Sequence, residues 1–306
     1  MHKKIVTFIR LIFHSLRLVK ALGLLPAFQI VWMQFFKTVE YKHKYILSYL
    51  ERHYSKVINN KKYVEQNLNS IPADCVWVCW FQGEDSMPET IQYCFESIKK
   101  YSGGREVHLI TSANYSQFVS LPDYIIEKVH NGMISLTHFS DIIRCNLLAD
   151  YGGIYIDAGL LLTANLDIPN LPFFSLKKRN PNNDRSFVSE YRWVVGFMGG
   201  AKGNALHSFM KDFFNEYWRE RNILIDYFLV DYVVSVAYNN ILSVKQMIDM
   251  VPYSNEDFYY LERNLLKPVN IHEWGDVLKN TSVFKVGYKG FPKNIEEDSL
   301  YKYIFQ

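Results

Sequence analysis

Apolar and polar positions along the chain follow two alternating rhythms, one of period two and one of period 3.6. Residues 75–81, CVWVCWF, form an unbroken apolar, β-prone run of the kind a central parallel strand shows when both its faces are covered. Pro88 then opens a helix over Glu89 to Tyr101, which Gly103 and Gly104 end. Residues 106–111, EVHLIT, supply a second strand. The most informative block is HFSDIIRCNLLADYGGIYIDAGLLLTANLD, residues 138–167. Ile142, Ile143, Leu147 and Leu148 recur at helical spacing, so a helix is expected from Thr137 or Ser140 to Asp150, with Ser140 as its N-cap. Tyr151-Gly152-Gly153 stops it, the glycines permitting the left-handed backbone of a C-cap. Ile154-Tyr155-Ile156 reads as a short buried strand with Asp157 at its end. Downstream, Trp193 to Gly200 reads as a strand closing on glycines, and Asp226 to Tyr238 as a helix. Between them Ala205 to Arg221 reads as an amphipathic helix burying Phe209, Phe213, Phe214 and Trp218. This β-α-β order at short intervals predicts an open, Rossmann-like α/β sheet.

Upstream of the sheet the rhythm is helical. In residues 3–20, KKIVTFIRLIFHSLRLVK, Arg10, His14, Arg17 and Lys20 make a polar stripe opposite Ile5, Ile9, Ile12, Phe13, Leu16 and Val19. A helix with a basic face of this kind lies on an anionic membrane surface; packing as a cap on the main domain is the alternative. Ala21 to Phe36 carries no charge but is short for a span and holds Gly23 and Pro26, the latter expected to kink it, so lying on the interface is favoured over crossing. No small-residue cleavage site follows clearly, which argues against a secretory signal. Val39 to Leu68 reads as helical and surface-facing, with a boundary near Ser70-Ile71-Pro72. The expected division is a basic, membrane-associating extension over residues 1–70 and a catalytic domain over residues 71–306.

Composition sharpens this division. With 306 residues, 49% of them apolar, the chain can bury one full α/β core plus an appendage. The net charge of +3 hides a split: residues 1–70 hold 12 Lys and Arg against 3 Asp and Glu, and the remainder 22 against 28. A mildly acidic body argues against nucleic acid as the main partner. Cys75, Cys79, Cys94 and Cys145 fit no metal spacing and read as reduced core residues of a cytoplasmic protein.

The candidate chemistry sits in the 138–167 block. Asp141 and Arg144 are three apart and share one helix face. Asp157, at the C-terminal edge of a strand, lies where α/β folds bind ligands. Each has a plainer alternative: a helix-start acid, its ion-pair partner and a turn former. SDIIR followed by YGGIYIDAG and LLLT resembles the bacterial capsular polysaccharide synthesis proteins related to glycosyltransferase family 32, and the likeness runs from about Val76 to about Lys289. It takes in VWVCWFQG, SIKKYSGG and DYFLVDY.

That resemblance implies a glycosyltransferase A-like fold and transfer of a sugar from a nucleotide-sugar donor, with retention of configuration, to a capsular or cell-surface glycan, free or lipid-linked. It implies catalytic and donor-gripping roles for Asp141 and Arg144. Asp157 matches the first Asp of an Asp-x-Asp motif, a donor contact and metal organiser. Gly152, Gly153 and Trp80 complete the expected donor-binding set; Trp77, Trp80 and Phe81 are candidates to stack on a base, with core packing the alternative. The second Asp of the motif is replaced by Gly159, which puts dependence on a divalent cation, Mn²⁺ or Mg²⁺, in doubt. It also motivates a competing reading, a non-catalytic sugar- or nucleotide-binding relative. Lys285 and Lys289 fall where related enzymes close over the diphosphate, and His138 is expected to be structural. The expected location is the cytoplasm, peripheral on the inner face of the cell membrane.

Overall fold

The computed structural model describes residues 19, 23–36, 39–63, 74–287 and 294–305. The basic stripe over residues 3–18, Lys20 and Lys289 lie outside the described residues. The elements used below are α1 (Leu24–Phe36), α2 (Val39–His53), β1 (Cys75–Cys79), α3 (Glu89–Lys100), β2 (Glu106–Ile110), α4 (Leu136–Asp150), β3 (Gly153–Ile156), β4 (Leu160–Leu162), β5 (Phe173–Ser175), β6 (Phe197–Gly200), α5 (Ala205–Glu220), α6 (Leu229–Asn240) and β7 (Val283–Lys285).

Five strands make one mixed sheet in the order β2-β1-β3-β6-β5, and β4 pairs with β7 in a separate antiparallel ribbon. β1 runs parallel to both β2 and β3, while β6 is antiparallel to its neighbours β3 and β5. Four of the five strands therefore point the same way, which is the open α/β sheet expected from the sequence. Successive side chains alternate between its faces. Trp77, Cys79 and Tyr155 join a core with α4, α5 and α6. Val76, Val78, Ile154 and Ile156 join a second core with Ile91, Phe95 and Ile98 of α3.

α5 shows what holds the helical layer. Asn204 caps it, its side chain accepting from the Leu206 and His207 amides, a contribution of about 1 kcal/mol. Phe209, Phe213, Phe214 and Trp218 are fully buried, at about 1.5–3 kcal/mol each. The apolar stripe, not the cap, decides its place.

Several boundaries differ from the sequence reading for local reasons. α4 starts one turn earlier than Ser140: Ser135 is the cap, its hydroxyl accepting from the His138 amide, while Ser140 is inside the helix and donates to the Thr137 carbonyl. The expected strand from Trp193 shrinks to β6, because Ser175 Oγ takes the Val194 amide and gives its proton to the Phe197 carbonyl, folding residues 194–197 into a bridge. Pro26 makes no kink, since α1 begins at Leu24 and a first-turn proline loses no helical hydrogen bond. Residues 39–63 are not surface-facing throughout. Ile46, Tyr49, Leu50, Tyr54, Ile58 and Tyr63 are buried in the same cluster as α5 and α6. Among the described residues, no helix is long and apolar enough to cross a membrane.

Candidate functional site

The site grows from a guanidinium. Arg144 is buried, 3% exposed, in the middle of α4. Its Nη1 donates to the Val195 carbonyl at 2.6 Å and its Nη2 to Asp157 Oδ1 at 2.9 Å. Asp141 Oδ1 lies 3.4 Å from Nη2, and the Tyr155 ring lies 4.2 Å from the guanidinium carbon. Burial opposes the charge, but Asp157, Tyr155 and Asp141 outweigh it and raise the proton affinity further. Arg144 is thus a fixed cation.

Asp141 is oriented from behind. Trp218 Nε1 donates to His138 Nε2 at 2.9 Å, so the imidazole carries its proton on Nδ1, which faces Asp141 Oδ2 at 3.3 Å. His138 is buried and positions a carboxylate, in line with its expected structural role.

Asp157 stands where β3 leaves the sheet. Its amide donates to the Gly196 carbonyl at 2.8 Å, and its side chain is 46% exposed. The β1–β3 register pairs Trp77 with Tyr155, and continuing it puts Cys79 level with Asp157. Trp80, partly buried, follows at the same edge. Asp157 Oδ2 lies against Gly196, where an added Cβ would overlap it. The three ionisable residues singled out from sequence therefore converge on one another.

Two members of the expected donor set do not join them. Gly152 and Gly153 lie at the start of β3, the opposite end from Asp157. Their φ values are +74° and +93°, and a Cβ would strike the Lys202 amide in one case and Cys75 in the other. Trp77 Nε1 donates to the Gly152 carbonyl. These glycines are required for packing at the far edge of the sheet, and their donor-binding role is withdrawn. Trp77 and Phe81 are likewise core residues, stacked on His108 and Phe139 respectively. Lys285 pairs with Glu262 at 3.5 Å and stands over the Tyr259 ring.

Sequence reasoning missed Asp231. It sits in the first turn of α6, partly exposed, and its Oδ1 accepts from Trp193 Nε1 at 3.0 Å. Trp193 is two residues before Val195, so Asp231 and Arg144 grip the same short segment, about 7 Å apart along an extended chain. Burial pushes the Asp231 carboxyl up to about 7, helped by Asp141 and opposed by the Trp193 hydrogen bond and by Arg144. Carboxyls this perturbed cluster at functional sites. The signal in the sequence was slight, because an acid in a first helical turn ordinarily just complements the helix dipole. Gly196, whose missing side chain makes room for Asp157, was missed too.

Among the described residues no three His, Cys, Asp or Glu side chains converge as a metal cage. One Asp157 oxygen is committed to Arg144. A Cβ at Gly159 would sit against Ile91 and the Val286 carbonyl, 3.7 Å from each. With Oδ1 on Arg144, Asp157 Oδ2, packed against Gly196, is the oxygen of that carboxylate left for a cation.

A family model described as "Capsular polysaccharide synthesis protein" matches residues 32–304. An O-glycosyltransferase, braB, of Annulohypoxylon truncatum is 26% identical over 158 residues, 47% of this chain. The match spans only 37% of that relative's length. Among solved structures, the galactosyltransferase LgtC in complex with donor and acceptor sugar analogs superposes with a TM-score of 0.38 at 9% identity, over 75% of this chain and 94% of that one. The PaToxG glycosyltransferase does so with a TM-score of 0.32 at 16% identity, over 68% and 89%.

Proposed function

Because the chain belongs to the capsular polysaccharide synthesis protein family, we propose that it is a glycosyltransferase that moves a sugar from a nucleotide-sugar donor to a capsular or cell-surface glycan. The observation that carries this reading is the convergence of Asp141, Arg144 and Asp157 at the C-terminal edge of the sheet. Such an edge is where an open α/β fold receives a ligand.

Each group has a task in this proposal. Arg144 holds Asp157 and Asp141 in fixed positions, so their carboxylate oxygens accept hydrogen bonds from sugar or ribose hydroxyls. Asp231 faces the transferring sugar, where its carboxylate stabilises positive charge developing at the anomeric carbon. That is preorganised electrostatic stabilisation, with no reorientation needed during the reaction. The bond from the anomeric carbon to the phosphate oxygen breaks, and its electron pair leaves with the nucleoside diphosphate. An acceptor hydroxyl oxygen forms the new bond on the same face, and its proton passes to the departing phosphate. Retention of configuration follows from attack on that face. Trp80, just after β1, stacks on the base in this reading. A divalent cation would be held by Asp157 Oδ2, with donor phosphates and water as its further ligands. When bound it would neutralise the diphosphate.

The test is calorimetric titration of UDP, GDP, CMP and dTDP, each with and without Mn²⁺, against the wild type and Asp157→Asn. One nucleotide is expected to bind and to weaken in the variant. Failure of all four to bind would favour a non-catalytic relative, the reading Gly159 motivates. Normal transfer by Asp157→Asn would overturn the site.

Membrane association of residues 1–36 belongs to the same proposal. Leu24, Phe28 and Trp32 recur every four residues along α1 and are 76%, 62% and 46% exposed, giving an apolar stripe beside a basic segment. Cytoplasmic, inner-face location follows from this reading and from the need to meet a membrane-bound glycan.

A further inference from the structure

The loop joining β5 to β6, together with Tyr259 from the segment between β6 and β7, builds an aromatic ledge that the chemistry above leaves unused. Phe187 is 43% exposed. Its ring lies 6.4 Å from Tyr259, nearly parallel, and 5.2 Å from Tyr191, edge-on. Lys178 Nζ stands 5.4 Å from the Tyr259 ring and 6.0 Å from that of Tyr191, and Nζ of Lys285, on β7, stands 5.6 Å from Tyr259.

This ledge is held, not loose. Glu190 and Tyr191 both adopt left-handed backbone, φ 46° and 66°, a conformation that costs a non-glycine residue free energy and persists where its surroundings impose it. Those surroundings are visible. The Lys178 amide donates to the Tyr191 carbonyl, and the Tyr191 hydroxyl donates to Asp184 at 2.6 Å. Just before Phe187, the Ser186 carbonyl accepts from His43 Nε2 of α2 at 3.1 Å. A hydrophobic ring is thus kept at the surface on a strained loop pinned by half-buried Asp184 and Lys178 and by buried His43.

Its position follows from the sheet. β5 runs parallel to β3, so its C-terminal end, leading to Lys178, lies on the same edge as Asp157. β6 runs the other way, so the segment preceding it, Tyr191 to Gly196, lies there too. Along this edge the order is Trp80 on β1, Asp157 on β3, then the ledge beside β6 and β5. The sugar being transferred occupies the middle, and its two exchange partners must flank it. With the nucleoside on the Trp80 side, the acceptor falls on the ledge.

We propose that Phe187, Tyr191 and Tyr259 form the acceptor subsite, stacking a pyranose ring that carries a negative charge, as a uronate or a phosphate, with Lys178 and Lys285 receiving that charge. The inference rests on the glycosyltransferase reading. Aromatic faces suit the apolar faces of sugar rings, and two ammonium groups over one phenol ring select an anionic partner over a neutral one.

The test uses the full chain in three forms: wild type, Phe187→Ala and Lys178→Gln. Each is applied to an array of neutral, uronate-bearing and phosphate-bearing oligosaccharides, alongside nucleotide titration. The wild type should retain the anionic glycans, and the uronate and phosphate arms identify the source of the charge. Phe187→Ala should lose at least 10-fold of that binding, and Lys178→Gln should lose the preference for anionic over neutral glycans, both with nucleotide affinity unchanged. Glycan binding by Phe187→Ala equal to wild type overturns the ledge, as does a wild type that retains only neutral glycans or none. Loss of nucleotide binding by the wild type would instead strike the underlying reading.

Discussion

Asp231→Asn should make the protein more stable and less active. The native carboxyl goes from an ordinary 3.8 to about 7 on folding. That is about 3 pKa units, or up to about 4 kcal/mol at 1.36 kcal/mol per unit. The sign follows from an acid whose folded value is raised. Below pH 3.8 the group is protonated in both states and has no effect. As pH rises from 3.8 to 7 the unfolded chain ionises first, so wild-type stability falls, and above 7 the loss is complete. Asparagine keeps the acceptor for Trp193 Nε1 and carries no charge to bury. Urea unfolding of both proteins at pH 4, 6 and 8 should therefore show a stability gain for the variant that is near zero at pH 4 and largest at pH 8. Transfer should fall on the order of 10²-fold, the scale on which one preorganised electrostatic partner acts, with nucleotide affinity preserved. Wild-type turnover should rise with pH through about 7, a limb the variant lacks. A stability difference that is the same at pH 4 and pH 8 would refute the burial argument. Undiminished transfer would refute the assigned role.

The same reasoning reaches other positions. Gly196→Ala, at a residue without left-handed backbone, should leave the fold intact but displace the Asp157 carboxylate and cut transfer at least 10-fold; normal transfer with normal circular dichroism would show that Asp157 moves freely. His207 is fully buried with neither ring nitrogen hydrogen-bonded, and burial drives it from 6.5 down to about 3. Protonation therefore favours the unfolded chain, and up to about 5 kcal/mol of stability is lost as pH falls from 6.5 to 3. The relative stability of His207→Leu should grow over that range, and a pH-independent difference would contradict this. Deleting residues 1–36 should preserve nucleotide binding and reduce co-sedimentation with phosphatidylglycerol vesicles; unchanged co-sedimentation would remove the anchor. Deleting residues 1–60 also removes Ile46, Tyr49, Leu50 and Tyr54, each at most 2% exposed and each worth about 1.5–3 kcal/mol, and should leave little folded protein by circular dichroism.

The helix-glycine-strand block was legible because its signals are local: an apolar period of 3.6, a glycine pair, then a short β-branched run ending in Asp157. The ion-pair triad was legible for the same reason, since thirteen residues separate Arg144 from Asp157. What failed depended on contacts far along the chain. Gly152 and Gly153 read as a helix C-cap and, through the resemblance, as donor-binding, yet it is the tight passage of Cys75 and Lys202 that demands them. Asp231, read only as part of DYFLVDY, drew no role because its partner Trp193 lies 38 residues earlier. Val39 to Leu68, described as far as Tyr63, reads as surface-facing because its Lys, His and Tyr residues obscure a narrow buried face.

His43 carries a consequence for how the molecule is completed. Its Nε2 donates to the Ser186 carbonyl and its Nδ1 accepts from the Tyr232 hydroxyl at 2.6 Å, 143 and 189 residues further along the chain. At a synthesis rate of about 5–20 residues per second, His43 leaves the ribosome roughly 10–40 seconds before Tyr232 exists. During that interval α2 has α1 beside it, but the face that packs on α6 has no partner. That face must wait for the last third of the chain. A nascent chain stalled before α6 would hold Asp141, Arg144 and Asp157 in sequence but have no finished site to place them in.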